Sequence, residues 1–330
     1  MTRFLGFGTA LPPFQLTADA SRRALASIWP HLKSAPIEPV IRYTVRPIAE
    51  TFHSRSLGEQ MRQYAREAPR LALEASAKAL LEAGVIASEV DAVISVSCTG
   101  YMVPALDVQL GAELGLRPNV VRLPFTELGC SGGGAAIGVA HRFLRAEPES
   151  VVLVVCVELC SLTFRSDDSS IDNLAASMVF GDGAAATVMA DRPGGLQVER
   201  VGTQLLPASQ DQLGFQLRDD GFHPILDKRL PRVIAERLPA VLEAFGSDPG
   251  DFQAVHAGGP RIFDAVEQAL GLAPGGLDVS REVFRTYGNI SSASILFVLA
   301  ALPPGPGRGL AISFGPGVTI EMASLRRCAE

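Results

Sequence analysis

The segment Leu128-Gly129-Cys130-Ser131-Gly132-Gly133-Gly134 places a cysteine between a strand-like run and the glycine-rich start of a helix. The run before it, residues 120–123, predicts a short buried strand, and the apolar residues 135–140 after it predict one face of a helix. Unpaired N–H groups and the positive end of the helix dipole favour a thiolate at this position. Cys130 is therefore a candidate nucleophile, with a buried structural cysteine as the alternative.

The composition is typical of a compact globular protein. Of the 330 residues, 47% are hydrophobic and 19% are charged, which argues against disorder. The net charge of −6 and the lack of a basic run with aromatic residues argue against a nucleic-acid partner. Residues 151–157, the most apolar run, are too short to span a bilayer, and residues 1–6 lack the apolar stretch of a signal peptide. We expect no membrane span and a cytoplasmic location.

The cysteines show neither disulfide nor metal-binding spacing. They are five in number, which is odd: Cys98, Cys130, Cys156, Cys160 and Cys328. The sequence has no Cys-x-x-Cys pair and no histidine cluster, so we expect no metal site. Free thiols fit a reducing cytoplasm.

The chain repeats its own plan. In the first half a helix leads into the strand 92–98, and in the second half a helix leads into the strand 252–256. Each strand ends in a turn of small residues, and a helix, a buried strand, a tight turn and a further strand follow in both halves. Apolar strands that alternate with helices predict an α/β fold. We divide it into two duplicated halves, residues 1–195 and 196–330.

The repeat brings three polar side chains to comparable positions. Counting 32 positions from Cys98 reaches Cys130, and counting 33 from His256 reaches Asn289. Catalytic groups in α/β sheets gather at the carboxyl ends of strands, where the loops converge. Cys130, His256 and Asn289 all lie at such positions, so we expect them to meet where the two halves join.

Cysteine, histidine and asparagine together indicate acyl-thioester chemistry. An imidazole within reach holds a cysteine as thiolate, and His256 is the histidine best placed to do so. The Asn289 amide would donate a hydrogen bond to an oxygen that gains negative charge, although an N-cap is its simplest other role. The thiol accepts an acyl group, and no carboxylate base is needed if the carbanion arises by loss of carbon dioxide.

Five motifs follow one another along the chain: Glu127-Leu128-Gly129-Cys130, Val179-Phe180-Gly181-Asp182-Gly183-Ala184-Ala185, His256-Ala257-Gly258-Gly259-Pro260, Tyr287-Gly288-Asn289-Ile290-Ser291-Ser292-Ala293 and Phe314-Gly315-Pro316-Gly317. Taken together, they resemble type III polyketide synthases, the chalcone synthase-like branch of the thiolase superfamily. The resemblance runs from about residue 58 to residue 325. Each motif alone is weak, but the ordered set is specific.

The resemblance implies a thiolase-like fold, in which two duplicated α/β halves form a five-layered αβαβα core. It implies a homodimeric acyltransferase that binds no cofactor and uses CoA thioesters. Cys130 would take an acyl starter from acyl-CoA, pairing with a His256 imidazolium that keeps it a thiolate. Malonyl-CoA would lose carbon dioxide, and its enolate, held by His256 and Asn289, would attack the starter in a Claisen condensation. The product would be a polyketide such as a pyrone or a resorcinol-type ring.

The resemblance also assigns the walls of the substrate cavity. Phe180 matches an aromatic position between the acyl tunnel and the reaction cavity, where an apolar ring favours decarboxylation. The other cavity positions are Cys98, Thr99, Cys160, Thr163, Ser291 and Pro224. The turn formed by Gly315, Pro316 and Gly317 shapes the site.

Some positions depart from the pattern of the plant enzymes. Pro224 replaces a second gatekeeping aromatic, and Ser313 replaces a glycine, which we expect to narrow the cavity. Cysteines in place of hydroxyl residues at two cavity positions favour a hydrophobic starter. The chain is short before residue 58, and Arg42 and Arg46 are poor candidates for contacts to the CoA phosphates.

Three other functions fit parts of the pattern. A ketosynthase III-like condensing enzyme would take acyl groups from an acyl carrier protein, or join two acyl chains; the stripe Arg229, Arg232 and Arg237 suits an acidic carrier but is also typical of a solvated face. A non-catalytic thiolase-fold scaffold would have lost one of the three polar residues. A cysteine protease also pairs Cys, His and Asn, but the papain-type surroundings are missing and the duplicated plan does not suit it.

Overall fold

The computed structural model describes residues 1–30, 40–273 and 275–327, so Cys328 lies outside the described residues. The strands are β1 (Arg3–Ala10), β2 (Phe14–Leu16), β3 (Arg42–Thr44), β4 (Ala92–Val96), β5 (Val121–Phe125), β6 (Val151–Leu159), β7 (Asp182–Ala190), β8 (Leu196–Leu205), β9 (Leu213–Arg218), β10 (Gly221–Leu226), β11 (Phe252–Val255), β12 (Gly307–Gly315) and β13 (Thr319–Arg327). The helices are α1 (Ala18–Ile28), α2 (Ile48–Thr51), α3 (Leu57–Ala83), α4 (Leu106–Leu114), α5 (Gly132–Ala146), α6 (Ile171–Val179), α7 (Leu230–Phe245), α8 (Pro260–Leu270), α9 (Asp278–Tyr287) and α10 (Ser294–Ala300).

Nine of the described strands form one sheet, and all of them except the edge strand β5 are arranged symmetrically about its centre. The order is β5-β4-β6-β7-β1-β8-β13-β12-β11. At the centre, β1 and β8 pair only through Arg3 with Gln197 and Phe4 with Leu196. On both sides the next two pairings outward are antiparallel and the third is parallel. The expected duplicated α/β fold is confirmed, while the division into domains 1–195 and 196–330, which falls between β7 and β8, stays a prediction.

Helices lie on both faces of each half-sheet and complete five layers. Helix α3 packs on β1, β6 and β7. Helices α5 and α10 lie between the half-sheets, and α5 contacts β4 and β6 of one and β12 and β13 of the other. Helices α7 and α8 pack together and supply apolar side chains to the core of the second half. This arrangement is the expected αβαβα core.

The longest helix, α3, is specified by its local sequence. The Ser56 hydroxyl accepts a hydrogen bond from the Glu59 backbone N–H, and the Glu59 carboxylate accepts one from the Ser56 N–H, which forms a capping box. The helix ends at Gly84, whose φ of +64° suits glycine. Its buried face carries several small residues, which let it approach β1 closely: Ala68, Ala72, Ala75 and Ala79. Neither α3 nor any other helix in the described ranges is long and apolar enough to cross a membrane.

Two strands that the sequence predicts to be buried differ in their actual burial. Residues 151–157 fall in β6, which is buried throughout between β4 and β7. The prediction of a buried strand at 120–123 is wrong, because β5 is the edge strand of the sheet and pairs only with β4. Its side chains are therefore half-buried or exposed, and Val121 is 42% exposed.

Candidate active site

Cys130 lies in a 3₁₀ turn, Gly129–Ser131, directly before α5. Its thiol donates a hydrogen bond to the Ser291 hydroxyl, with 3.4 Å between sulfur and oxygen. The turn packs tightly on the second half of the chain. A Cβ added at Gly129 would lie only 2.5 Å from the Pro316 ring. Gly129 also has a φ of +53°, so both the close approach and the backbone require glycine here.

Asn289 is fixed so that its amide NH₂ group is left to donate. Its side-chain oxygen accepts hydrogen bonds from the Ser291 backbone N–H (2.8 Å) and the Ser294 hydroxyl (3.4 Å). Its backbone forms hydrogen bonds with the residues on both sides of Phe180. The Asn289 N–H donates to the Val179 carbonyl (2.8 Å), and the Gly181 N–H donates to the Asn289 carbonyl (3.0 Å). The Asn289 side chain also acts as a hydrogen-bond partner of the Cys130 sulfur and lowers its pKa.

His256 directly follows β11 and is 2% exposed. Its backbone N–H donates to the Ile312 carbonyl at 2.8 Å, which fixes the residue to β12. Its Nδ1 is buried without a hydrogen-bond partner. Within the described part of the chain, no hydrogen bond joins its ring to the Cys130 sulfur. The structure thus brings Cys130 and Asn289 together around Ser291 and leaves Nδ1 of His256 without a partner among the described residues.

Burial controls the protonation of the thiol and the imidazole. Desolvation raises the pKa of Cys130 to about 12, although its hydrogen bonds with Ser291 and Asn289 act in the opposite direction. Desolvation lowers the pKa of His256 to about 4. Each group taken separately is therefore neutral near pH 7. The imidazolium–thiolate pair expected from the resemblance requires the two groups to come into contact, because each charge then compensates the other.

A partly open cavity adjoins these residues. It reaches Ser291, and the Cys98 sulfur lies 3.3 Å from the same hydroxyl. Six of the predicted cavity residues line it: Thr99, Cys160, Thr163, Phe180, Pro224 and Ser291. Their roles in substrate choice stay predictions. The sequence analysis missed other lining residues, among them Arg42, Phe52, Phe164, Asn173 and Phe215.

An aromatic side chain lies directly opposite Pro224. In the β9–β10 hairpin, Pro224 pairs across the strands with Phe215, and both line the cavity. Phe215 contacts Phe222 edge to face, with 6.0 Å between ring centroids. The strand opposite Pro224 therefore carries an aromatic side chain on the cavity wall. Alternation of side chains along a strand predicts this only once the hairpin register is known.

Ser313 does not narrow the cavity. It is buried in β12 and is not among the described cavity-lining residues. Its hydroxyl faces α5, where a Cβ added at Gly134 would lie 3.0 Å from it. The expectation is wrong because the side chain of Ser313 points to the helix layer between the half-sheets. The turn after β12, with Gly315, Pro316 and Gly317, contacts the Cys130 turn instead: a Cβ added at Gly315 would lie 2.1 Å from the Ser131 hydroxyl.

Glu158, which the sequence analysis missed, is the acceptor of a hydrogen-bond network behind the thiols. It is fully buried and accepts hydrogen bonds from the Thr99 hydroxyl (2.7 Å), the Cys98 backbone N–H (3.1 Å) and the Ser292 hydroxyl. Burial raises its pKa, and the bond from Ser292 is the largest effect in the opposite direction. It is easily overlooked because it stands inside the apolar run of β6.

Two further features bear on possible partners. Among the residues the structure describes, no three His, Cys, Asp or Glu side chains are grouped so that they could hold a metal ion. In the stripe on α7 and the residue before it, Arg229 pairs with Asp227 (2.5 Å) and Arg232 pairs with Glu236 (2.7 Å). Much of its positive charge is therefore compensated within the chain.

Comparison with known proteins gives one consistent result. Residues 44–193 match the family described as chalcone and stilbene synthases, N-terminal domain, and residues 197–329 match its C-terminal domain. The chain is 38% identical over 293 residues to 1,3,6,8-tetrahydroxynaphthalene synthase of Streptomyces coelicolor, covering 86% of this chain and 78% of that protein. It is 34% identical over 321 residues to phloroglucinol synthase of Pseudomonas fluorescens, covering 93% and 90%.

A solved structure extends this similarity to the whole fold. The crystal structure of 1,3,6,8-tetrahydroxynaphthalene synthase from Streptomyces coelicolor A3(2), described as a bacterial type III polyketide synthase, superimposes with a TM-score of 0.94 at 33% identity. The match covers 99% of this chain and 100% of that one.

Proposed function

Because the chain belongs to the chalcone and stilbene synthase family of type III polyketide synthases, we propose that Cys130 carries the growing acyl chain and that His256 and Asn289 hold the enolate oxygen of the extender. The resemblance drawn from the five motifs is confirmed. The protein is a condensing acyltransferase that forms a polyketide from malonyl-CoA and uses CoA thioesters without a bound cofactor. The acyl-carrier-protein alternative is not favoured, and the internally paired arginines Arg229 and Arg232 agree with that.

The reaction has three balanced steps. The Cys130 sulfur attacks the starter thioester, its proton passes to His256, and CoA leaves as a thiol after taking up that proton. Malonyl-CoA then loses carbon dioxide, and the electron pair of the broken C–C bond becomes an enolate whose oxygen accepts hydrogen bonds from Asn289 and His256. The enolate carbon attacks the Cys130 thioester and forms a new C–C bond. The thiolate leaves, and the lengthened chain remains on CoA.

The observation that carries this proposal is a pair of hydrogen bonds that link Cys130 and Asn289 to the same residue, Ser291. The two catalytic candidates come from different halves of the chain, and Ser291 bonds to both. The side-chain oxygen of Asn289 is already occupied, so its NH₂ group is the end available to an oxyanion. A buried donor held in advance stabilises developing charge more than a mobile one, since no reorganisation is needed when the charge forms.

The nature of the product follows from the relatives. The names of the two relatives, tetrahydroxynaphthalene synthase and phloroglucinol synthase, denote products that are hydroxylated aromatic rings. We propose that this chain likewise closes its polyketide into a hydroxylated aromatic ring. The aromatic side chains of Phe164, Phe180 and Phe215 in the cavity wall support a flat product.

We also propose a homodimer that works in the cytoplasm. The edge strand β5 leaves one side without a partner in the described chain. Apolar side chains near it are exposed: Tyr101 by 65%, Val103 by 78% and Val121 by 42%. A second copy at this edge would cover them. Val103→Asp is expected to turn a dimer into a monomer in light scattering, and an unchanged dimer mass would place the interface elsewhere.

The decisive test is Cys130→Ala. The variant is expected to lose condensation completely but to keep some malonyl-CoA decarboxylation, because the enolate is held by His256 and Asn289. Cys156→Ala, a change in β6 away from the cavity, is the matched control. Product formation and carbon dioxide release are measured separately by mass spectrometry and by trapping of labelled carbon dioxide. Condensation at the parent rate in Cys130→Ala would remove this cysteine from the mechanism.

A further inference from the structure

Arg42 is a fully buried guanidinium that faces the cavity. It is 1% exposed and belongs to the short strand β3. Its Cβ packs against the backbone on both sides of the site: Cβ atoms added at Gly181 and Gly288 would lie 2.9 and 3.3 Å from it. One terminal nitrogen, Nη1, donates to the Met178 carbonyl. The other, Nη2, is buried and has no hydrogen-bond partner.

The charge of Arg42 is not paired with a carboxylate in the described chain. The acid that acts on it most is Asp182, whose oxygens already accept hydrogen bonds from the Val45 N–H (2.8 Å), the Ser161 N–H (2.7 Å) and the Ser161 hydroxyl (2.5 Å). Burial lowers the pKa of Arg42 to about 9, so it is protonated at neutral pH. A buried cation without a partner destabilises the fold.

The rest of the cavity wall does not compensate this charge. Among the described residues that line the cavity, Arg42 is the only charged one. Two polar neighbours already use their donors in other hydrogen bonds. Asn173 donates to the Arg165 and Asp168 carbonyls, and the Ser177 hydroxyl donates to the Asn173 carbonyl. On another side the Phe52 ring lies 5.9 Å from the guanidinium carbon. The cavity therefore offers one unsatisfied cationic donor among aromatic and neutral polar side chains.

We propose that Nη2 of Arg42 binds the free carboxylate of a dicarboxylic acyl starter, so that the cavity selects starters that end in an acid group. This inference rests on the proposed function, because the same starter forms its thioester with Cys130. Arg42 and Ser291 both line this cavity, and Ser291 bonds to Cys130, so the proposal places the thioester end of the starter beside Ser291 and its carboxylate at Arg42. In the loading step the thioester bond to CoA breaks, the bond to sulfur forms, and the distal carboxylate stays intact.

This proposal revises the expectation of a hydrophobic starter. Cys98 and Cys160 make part of the wall apolar, but a guanidinium with a free donor outweighs them, because a neutral alkyl end would leave it buried and unpaired. A carboxylate removes that penalty by forming a charge-assisted hydrogen bond. A chain with neutral ketone oxygens would bond to the same nitrogen more weakly.

The test compares starters of equal length that differ only in the acid group. Purified full-length enzyme is mixed with succinyl-CoA or butyryl-CoA without malonyl-CoA, and acylation of Cys130 is followed by intact-protein mass spectrometry. The parent is expected to load succinyl at least about tenfold faster than butyryl. Arg42→Gln is expected to lose that preference, so that the ratio of succinyl to butyryl loading falls to about one. Arg42→Lys is expected to retain part of it. Arg46→Gln, which changes a buried arginine outside the cavity lining, is the control.

A second readout does not depend on how well the variants fold. In the parent, free succinate is expected to inhibit butyryl loading more strongly than free butyrate does. Equal loading of the two starters by the parent, or equal slowing of both by Arg42→Gln, would overturn the Arg42 proposal and leave the proposed function standing. If neither starter acylates Cys130 in the parent, the Arg42 proposal is overturned; the proposed function is overturned only if malonyl-CoA also gives no polyketide with the parent enzyme.

Discussion

Replacing Ser291 by alanine removes the hydroxyl that links two thiols of the site. Its oxygen lies 3.4 Å from the Cys130 sulfur and 3.3 Å from the Cys98 sulfur. When Cys130 ionises, this hydroxyl turns to donate to the thiolate, and it already lowers the pKa of the thiol. Ser291 has a φ of +44°, a strain that alanine shares, so the substitution tests the hydroxyl rather than the backbone.

The size of the effect follows from the strength of that bond. A hydrogen bond to a charged group contributes about 1.5–3 kcal/mol. Because one pKa unit corresponds to about 1.4 kcal/mol, Ser291→Ala should raise the pKa of Cys130 by about 1–2 units. A more basic thiolate is also more nucleophilic, with a Brønsted coefficient of about 0.4–0.5, which recovers nearly half of the loss. Alkylation of Cys130 near neutral pH should therefore slow by about 4- to 15-fold.

The assay is alkylation by iodoacetamide, followed at the Cys130 peptide by mass spectrometry across roughly pH 6 to 10. Ser177→Ala is the matched control, since it removes a hydroxyl from the same cavity that donates to the Asn173 carbonyl and, within the described residues, has no recorded bond to a thiol. The control should follow the parent curve, while the Ser291→Ala curve should move to higher pH. Superimposable curves for parent and Ser291→Ala would refute the reasoning, since Ser291 would then not stabilise the thiolate.

Three other substitutions test separate parts of the structure. Asn289→Ala should slow malonyl-CoA decarboxylation by about 100-fold or more and loading of the starter much less, because it removes an oxyanion donor; equal slowing in separate assays of the two half-reactions would contradict this. Burial raises the pKa of Glu321 from 4.5 to about 7, so the folded state holds the proton more tightly and stability should fall as pH rises between these values. Glu321→Gln keeps an acceptor for Thr203 and should remove up to about 3 kcal/mol of that fall in urea unfolding, whereas an unchanged pH dependence would exclude Glu321 as its source. Gly129→Ala should lower the free energy of unfolding by about 1–3 kcal/mol, because the Cβ of the alanine meets Pro316 and the φ at this position is positive. An unchanged thermal unfolding temperature would contradict this and show that the turn adapts.

The parts of the site that follow strand ends could be predicted from sequence. Cys130 stands between β5 and α5, and His256 directly follows β11; apolar periodicity identifies such strands and helices directly. Asn289 lies between α9 and α10 instead, and the repeated spacing of the two halves is what points to it. The duplicated order of elements then places Cys130 and Asn289 at the junction of the halves. The small residues around them are a second indication. A glycine at position 129 indicates that another part of the chain packs closely against it, and the fold identifies that part as Pro316.

Other features depend on register and tertiary packing, which local patterns do not encode. Glu158 stands in an apolar run, and only the folded strand shows that donors from neighbouring loops surround it. Phe215 meets Pro224 because of the hairpin register, and Ser313 faces a helix instead of the cavity. Arg42 occupies a strand of three residues, and no pattern in its neighbourhood distinguishes a buried arginine from a surface one.

The thiol and its proposed oxyanion donor come from opposite halves of the fold, which has a consequence for the chain during its synthesis. Ser291, the residue that joins them, follows Cys130 by 161 positions. At roughly 5–20 residues per second, a ribosome needs about 8 to 30 s to add them. A nascent or truncated chain in that interval carries an ordinary cysteine with no amide opposite it. Unfinished molecules therefore cannot consume malonyl-CoA, and only a chain that has completed both halves begins turnover.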